Sequence, residues 1–176
     1  FTVPVLADST DEANETATLT LSNASNASIS DATGTLTITD DDAAPSLSIN
    51  DVTASNENAA NATFTATLSA ASGKQVTVDY ASSNGTATAG ADYTASSGTL
   101  TFAAGTTTQT FTVPVLADST DEANETATLT LSNASNASIS DATGTLTITD
   151  DDAAPSLSIN DVTASNENAA NATFTA

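Results

Sequence analysis

The sequence predicts an all-β chain of antiparallel β-sandwiches laid end to end as a tandem array. Three observations carry this. Val, Ile, Leu and Phe alternate with Thr and Ser over many short runs, the period-2 pattern of half-buried strands. Gly, Asn, Asp and Ser punctuate those runs every 8–12 residues or so, and no stretch has helical periodicity. Residues 111–176 repeat residues 1–66 letter for letter, so Phe1 matches Phe111 and Asp40 matches Asp150. The offset of 110 residues is too long for one solenoid turn and suits a small domain with its own core.

The punctuation sets the boundaries. Asp40-Asp41-Asp42-Ala43-Ala44-Pro45 and Asp150-Asp151-Asp152-Ala153-Ala154-Pro155 each close one unit and open the next. One complete unit is therefore expected over 45–154, with 1–44 as the tail of a preceding unit and 155–176 as the head of a following one. Neither end carries a copy of 67–110, so the ends cannot complete each other, and the chain reads as a window on a longer array.

Within the unit, Leu47-Ser48-Ile49 is a short strand after Pro45, and Asp51 to Ala60 is polar and irregular. Thr63 to Leu68 alternates cleanly, which turns Phe64, Ala66 and Leu68 inward. Ala71 to Lys74 is a turn. Val76 to Tyr80 is a strand with Val76, Val78 and Tyr80 on one face, and Ser82 to Ser97 is a long Gly/Ala/Ser loop. Gly98 to Phe102 is the next strand, turned by Ala104-Gly105. Thr108 to Val115 sets Phe111, Val113 and Val115 in phase, while Pro114 marks an edge or a bulge. After an acidic loop from Ala117 to Glu122, Glu125 to Leu131 is a strand and Asn133 to Ala137 a turn. Ser138 to Ser140 and Gly144 to Thr149 form a last strand or pair. That makes about seven short strands, the count of an antiparallel sandwich.

The acids are bunched. Asp118, Asp121, Glu122 and Glu125 share one loop, Asp150, Asp151 and Asp152 end the last strand, and Glu57 sits in the first loop. Antiparallel strands in a sandwich one strand tall can bring all three places to one pole. Crowded carboxylates need counter-ions, and an oxygen-only ligand set suits a hard cation, calcium above all. Taken singly, Asp51, Asp79, Asp121 and Asp141 read as solvated loop residues.

The unit resembles a Calx-beta domain along its whole length. The likeness rests on Glu57 before Ala62-Thr63-Phe64, on Val78-Asp79-Tyr80 followed by Asn84-Gly85-Thr86 through Gly90-Ala91-Asp92-Tyr93, and on Gly98 to Phe102. It continues through Val113-Pro114-Val115-Leu116-Ala117-Asp118, Glu122, Asn124-Glu125-Thr126 and Leu129 to Asn133, and ends on Gly144 to Asp152. The resemblance implies an immunoglobulin-like sandwich. It also implies calcium at Glu57, Asp118, Glu122, Glu125, Asp150, Asp151 and Asp152, with a backbone carbonyl near Thr120. Asp8, Glu12, Glu15, Asp40, Asp41 and Asp42 repeat part of that set in the first partial unit, and Glu167 in the last. Two departures point to fewer or weaker ions: Asn84 stands where an acid is usual, and Ala117 where a second aspartate often precedes Asp118. Asp92 is a ligand or a hydrogen-bonding residue of its loop.

Composition excludes several classes of function. The chain of 176 residues has one Lys, no His, no Cys and a net charge of -21. So acidic a surface opposes nucleic acid and anionic membranes as partners. No apolar run is long enough to span a bilayer, disulfides and thiolate sites are unavailable, and no catalytic constellation is visible. Lys74, in a turn, is expected to be exposed. Asn-x-Ser/Thr occurs at Asn14, Asn23, Asn26, Asn61, Asn84, Asn124, Asn133, Asn136 and Asn171, acceptors for glycans on a secreted chain. Identical repeats with short linkers point to a structural part of an extracellular fibre, adhesin stalk or other cell-surface protein. Its partners would be neighbouring repeats and, laterally, other copies. The competing readings are a calcium-sensing regulatory module and a carbohydrate- or surface-binding module.

Overall fold

The computed structural model describes residues 1–58, 61–164, 166–168 and 171–176. In 1–44, β1 (Glu15–Thr20) and β2 (Thr33–Ile38) pair as an antiparallel hairpin, Glu15 opposite Ile38. Residues 45–154 hold β3 (Ser46–Ile49), β4 (Val52–Ala54), β5 (Ala62–Leu68), β6 (Val76–Asn84), β7 (Ser97–Phe102), β8 (Thr108–Val113), β9 (Glu125–Ser135), β10 (Ser138–Ile139) and β11 (Thr143–Ile148). They form a four-stranded sheet in the order β10-β3-β5-β8 and a five-stranded sheet in the order β4-β11-β9-β6-β7. The pairs β10–β3 and β11–β4 are parallel and the others antiparallel.

The core is the inner faces of the two sheets. Phe64, Ala66 and Leu68 of β5 are buried, as the alternation requires, with Leu47 and Val113 from the same sheet and Val78, Phe102, Leu129, Leu146 and Ile148 from the other. Each large apolar side chain so buried contributes about 1.5–3 kcal/mol. The Phe111 ring stacks on Phe64 at 5.5 Å and, across the sandwich, on Tyr80 at 3.9 Å.

The segment 45–54 does something periodicity could not foretell: it changes sheets. β3 lies in one sheet and β4 in the other, and Asn50-Asp51 makes the crossing. Asn50 Oδ1 accepts the Thr65 N–H of β5 at 2.6 Å, while Asp51 Oδ1 accepts the Thr145 N–H of β11 at 2.7 Å. The crossing runs so close over β11 that a Cβ on Gly144 would stand 2.5 Å from the Asn50 carbonyl oxygen. Asp51 is an exposed loop residue, as expected, and also ties the crossing to β11. Asp79 is a correction: it lies within β6 and accepts from Thr99 Oγ1 of β7 at 2.6 Å and Asn133 Nδ2 of β9 at 3.1 Å. Asp141 caps its own loop, accepting the Thr143 N–H at 3.3 Å.

β4 falls in a stretch expected to be irregular, and three boundaries differ by more than one residue from the expected ones. β6 continues to Asn84 because β9 pairs with it there, Ser82 opposite Leu129 and Asn84 opposite Ala127. The polar run Ser82-Ser83-Asn84 lacks alternation, so its strand character comes from the partner. β9 extends to Ser135 through Asn133, at φ 52°, a conformation asparagine tolerates well. Pro114 directly follows β8, which is an edge strand, so its missing N–H costs no ladder bond. Its carbonyl accepts the Thr94 N–H at 2.8 Å.

Lys74 is not free in its turn. Its side chain is 30% exposed and its ammonium lies 2.7 Å from Asp11 and 3.5 Å from Asp40, both in the preceding unit. The Asp11 hydrogen bond raises the Lys74 pKa, and the same bond holds the Asp11 pKa below its ordinary value. Among the described residues, no helix is long and apolar enough to cross a membrane.

Candidate metal centre

Three chain segments converge at one pole because of how their strands end. β4 and β11 run parallel, Ala54 opposite Ile148, so the turn holding Glu57 and the Asp150-Asp151-Asp152 run leave the sheet side by side. The Thr149 N–H to Ala54 carbonyl bond at 3.1 Å continues that pairing. β9 begins at Glu125 opposite Ile148, so the β8–β9 loop with Asp118 and Glu122 enters at the same level. A fourth segment joins it. Leu116 N–H bonds the Asp92 carbonyl at 2.9 Å, and Tyr93 bridges Val115, which ties the Asp92 loop to the Asp118 loop.

The result is two overlapping triads of carboxylates. Oxygens of Glu57, Asp118 and Asp152 lie within 4.8 Å of one another, as do oxygens of Asp92, Asp118 and Glu122. Asp118 belongs to both. Its Oδ1 accepts the Thr120 N–H at 2.7 Å, and the Thr120 hydrogen bonds hold its pKa below the ordinary carboxylate value. Glu57 is the buried member, 8% exposed, and its Oε2 finds no hydrogen-bond partner among the described residues. Burial, then the charges of Asp118, Asp150, Asp152 and Glu122, push its pKa up. Glu125 is pushed up to about 7, first by burial and then by a hydrogen bond and charge from Asp92. Asp152 is raised by burial and by Asp151 and Asp150.

The remaining candidates take other places. Asp151 turns both oxygens to the first loop: Oδ1 accepts the Glu57 N–H at 3.3 Å and Oδ2 the Asn58 amide at 3.0 Å. It therefore positions the Glu57 backbone. Asp150 Oδ1 accepts the Asp152 N–H at 3.4 Å, and the Asp150 N–H is held by Asn124 Oδ1 at 3.1 Å. Thr120 contributes its N–H, to Asp118. Asp92 both joins a triad and accepts the Thr88 N–H at 2.6 Å. Asn84, at the position of a usual acid, serves the loop: its Oδ1 accepts from the Tyr93 hydroxyl at 2.7 Å and the Ala89 N–H at 3.0 Å.

In 1–44, Asp8, Glu12, Glu15, Asp40, Asp41 and Asp42 line one open cleft. Glu12 is raised chiefly by Asp8, and Asp42 by burial and then Asp41. Glu167 is exposed. Sequence reasoning underweighted Asp92, whose approach depends on the Tyr93–Val115 bridge between segments distant in the chain. It missed Asp11, whose partner Lys74 is 63 residues away.

What does such a pole do chemically? It offers oxygen donors only, one of them dehydrated and unpaired, and no nucleophile or imidazole. In its fold it is similar to solved structures of Calx domains. The apo form of the Calx CBD1 domain matches at 25% identity with a TM-score of 0.58, over 61% of this chain and 98% of that one. CBD12 from CALX1.2 matches at 26% and 0.57, over 60% of this chain and 45% of that one. The calcium binding domain CBD12 of CALX1.1 matches at 26% and 0.56, over 60% and 46%. This chain thus spans less than half the length of the two CBD12 structures. A search of curated proteins found no match. The family model of the Calx-beta domain matches residues 1–42 and 40–152, and the chain belongs to that family.

Proposed function

We propose that the unit at 45–154 is a calcium-binding structural repeat, and that calcium at its acidic pole stiffens an array of such repeats in an extracellular fibre or adhesin stalk. The single observation that carries the calcium reading is Glu57. A buried carboxylate with an unpartnered oxygen, beside Asp118 and Asp152, is costly unless a cation completes it. The donor set suits calcium, which takes 6–8 oxygens. Glu57, Asp118 and Asp152 would hold one ion. Asp92, Asp118 and Glu122 would hold a second, with Asp118 bridging. Asp150 and Asp151 would order the strand end. The structural role is supported by the letter-perfect repeat and by the short joint between units.

Thermal unfolding with calcium and with a chelator tests the site. Calcium at 100 times Kd should stabilise the unit by about 2.7 kcal/mol. Glu57→Gln should abolish that gain while leaving the chelated protein at least as stable as the parent, since it removes a buried, repelled charge. Identical melting of the parent with and without calcium would reject the site. For the fibre role, images of a multi-repeat array should show a longer persistence length with calcium than with chelator.

A second reading, a calcium-sensing regulatory module, is favoured by the likeness to the CALX1.1 calcium binding domain. Sensing requires a change of shape on binding. A stiffening role requires lost motion about an unchanged mean shape, and solution scattering separates the two.

A further inference from the structure

We propose that successive repeats are fastened by a latch that needs no metal: the turn Ser72-Gly73-Lys74 of one unit seats on Asp11 in the acidic loop of the unit before it. The contact has strand-like backbone geometry. Asp11 and Ser72 form a parallel bridge, and the Gly73 N–H donates to the Asp11 carbonyl at 2.8 Å. Ser72 Oγ donates to Asp11, with its carbonyl at 3.1 Å and Oδ2 at 2.9 Å, and also accepts the Lys74 N–H at 3.0 Å. The Lys74 ammonium closes the ring on Asp11 Oδ1 at 2.7 Å, with Asp40 Oδ2 at 3.5 Å.

Asp11 and Ser72 are both buried. Buried polar groups are placed where they are satisfied, and here each satisfies the other across the joint. The turn is anchored within its own domain by the Gly105 N–H on the Ser72 carbonyl at 2.9 Å, so the latch grips a rigid part. The approach is close: a Cβ on Gly73 would meet Glu12 Cγ at 2.8 Å. Among all the acids of the first partial unit, the sole side-chain cation of the chain selects Asp11 and Asp40. Asp121 is the counterpart of Asp11 one period later and is exposed. The period of 110 would bring the Ser-Gly-Lys turn of a following unit onto it.

The joint thus has two fastenings, an ammonium on Asp11 and the acidic cleft beside it, and Asp40 faces both. The proposal goes beyond the calcium reading and is tested without calcium. The 176-residue chain is treated in chelator with a zero-length carbodiimide, and the coupled residues are mapped by mass spectrometry. Lys74 should couple to Asp11, with Asp40 second. Lys74 left uncoupled, or coupled indiscriminately among the 22 acids, would overturn the latch. As a second readout, Asp11→Asn should raise the acylation rate of the Lys74 amine several-fold, and Asp121→Asn should leave it unchanged. Equal rates in all three proteins would also overturn it. Because every arm contains chelator, failure of the calcium site alters none of these outcomes.

Discussion

Residues 1–66 and 111–176 carry the same letters and behave differently. Phe111 is 7% exposed and its twin Phe1 98%; Phe64 is fully buried and its twin Phe174 is 58% exposed. Leu131, Val113 and Ile49 are buried, while Leu21, Val3 and Ile159 are exposed. Burial is therefore set by whether the other strands of 45–154 are alongside, and local sequence alone does not decide it. What survives without them is what is local. The β1–β2 hairpin forms because its strands pair with each other in the register of β9–β11, Glu15 on Ile38 as Glu125 on Ile148. Asp40 N–H still finds Asn14 Oδ1 at 3.0 Å, as Asp150 finds Asn124 at 3.1 Å. Residues 155–176 form no strand among the described residues, because β3 and β5 depend on β10 and β8. The hydrogen bonds of the asparagine recur there: Thr175 N–H on Asn160 Oδ1 at 2.6 Å, Asn160 N–H on the Thr175 carbonyl at 3.3 Å and the Asn160 amide on the Asp161 carbonyl at 3.4 Å.

The largest expected effect follows directly. Phe64→Ala should destabilise the complete unit by about 3–5 kcal/mol, whereas Phe174→Ala should lie within about 0.5 kcal/mol of the parent. Denaturant midpoints measure both. Equal losses would mean that residues 155–176 are packed in solution. The calcium gain of about 2.7 kcal/mol splits the same way: Glu57→Gln should remove it and Glu167→Gln should not, read as calcium-dependent melting temperature.

The sandwich class, the tandem period and the in-facing residues of β5, β6 and β8 were legible because alternation directly encodes a face. So was the bunching of acids, since composition along the chain shows it. Three things were not. The sheet change at Asn50-Asp51 leaves no periodic mark, being a matter of two side chains reaching opposite sheets. The length of β6 depends on pairing with β9. The charge pairing of Lys74 with Asp11 joins two units, and no reading of one unit contains it.

Glycine gives a finer contrast. Gly144 and Gly34 occupy the same repeat position, yet a Cβ on Gly144 would meet the Asn50 carbonyl oxygen at 2.5 Å and one on Gly34 would meet nothing within 4 Å. Gly144→Ala should cost about 1–3 kcal/mol through forced displacement of the crossing. Gly34→Ala should be neutral or stabilising by up to about 1 kcal/mol, since glycine weakens a strand interior. A Gly144→Ala protein that melts with the parent would show that the sheet change is looser than drawn.

The smallest effect concerns Asn133 and Asn23, alike in sequence position and in φ, 52° and 54°. Only Asn133 has an acid opposite, Asp79, whose pKa is lowered by Thr99 and then by Asn133. A carboxyl depressed in the folded state binds fewer protons there than in the unfolded chain. Its stabilisation is therefore present above the ordinary value near 3.8 and is lost as pH falls through the lower folded value. Asp79→Asn should flatten the fall of the urea midpoint below that pH, and Asn133→Ala should flatten it in part. Asn23→Ala should leave the profile on that of the parent, because the contrast between the two copies lies in what the strand beside them supplies.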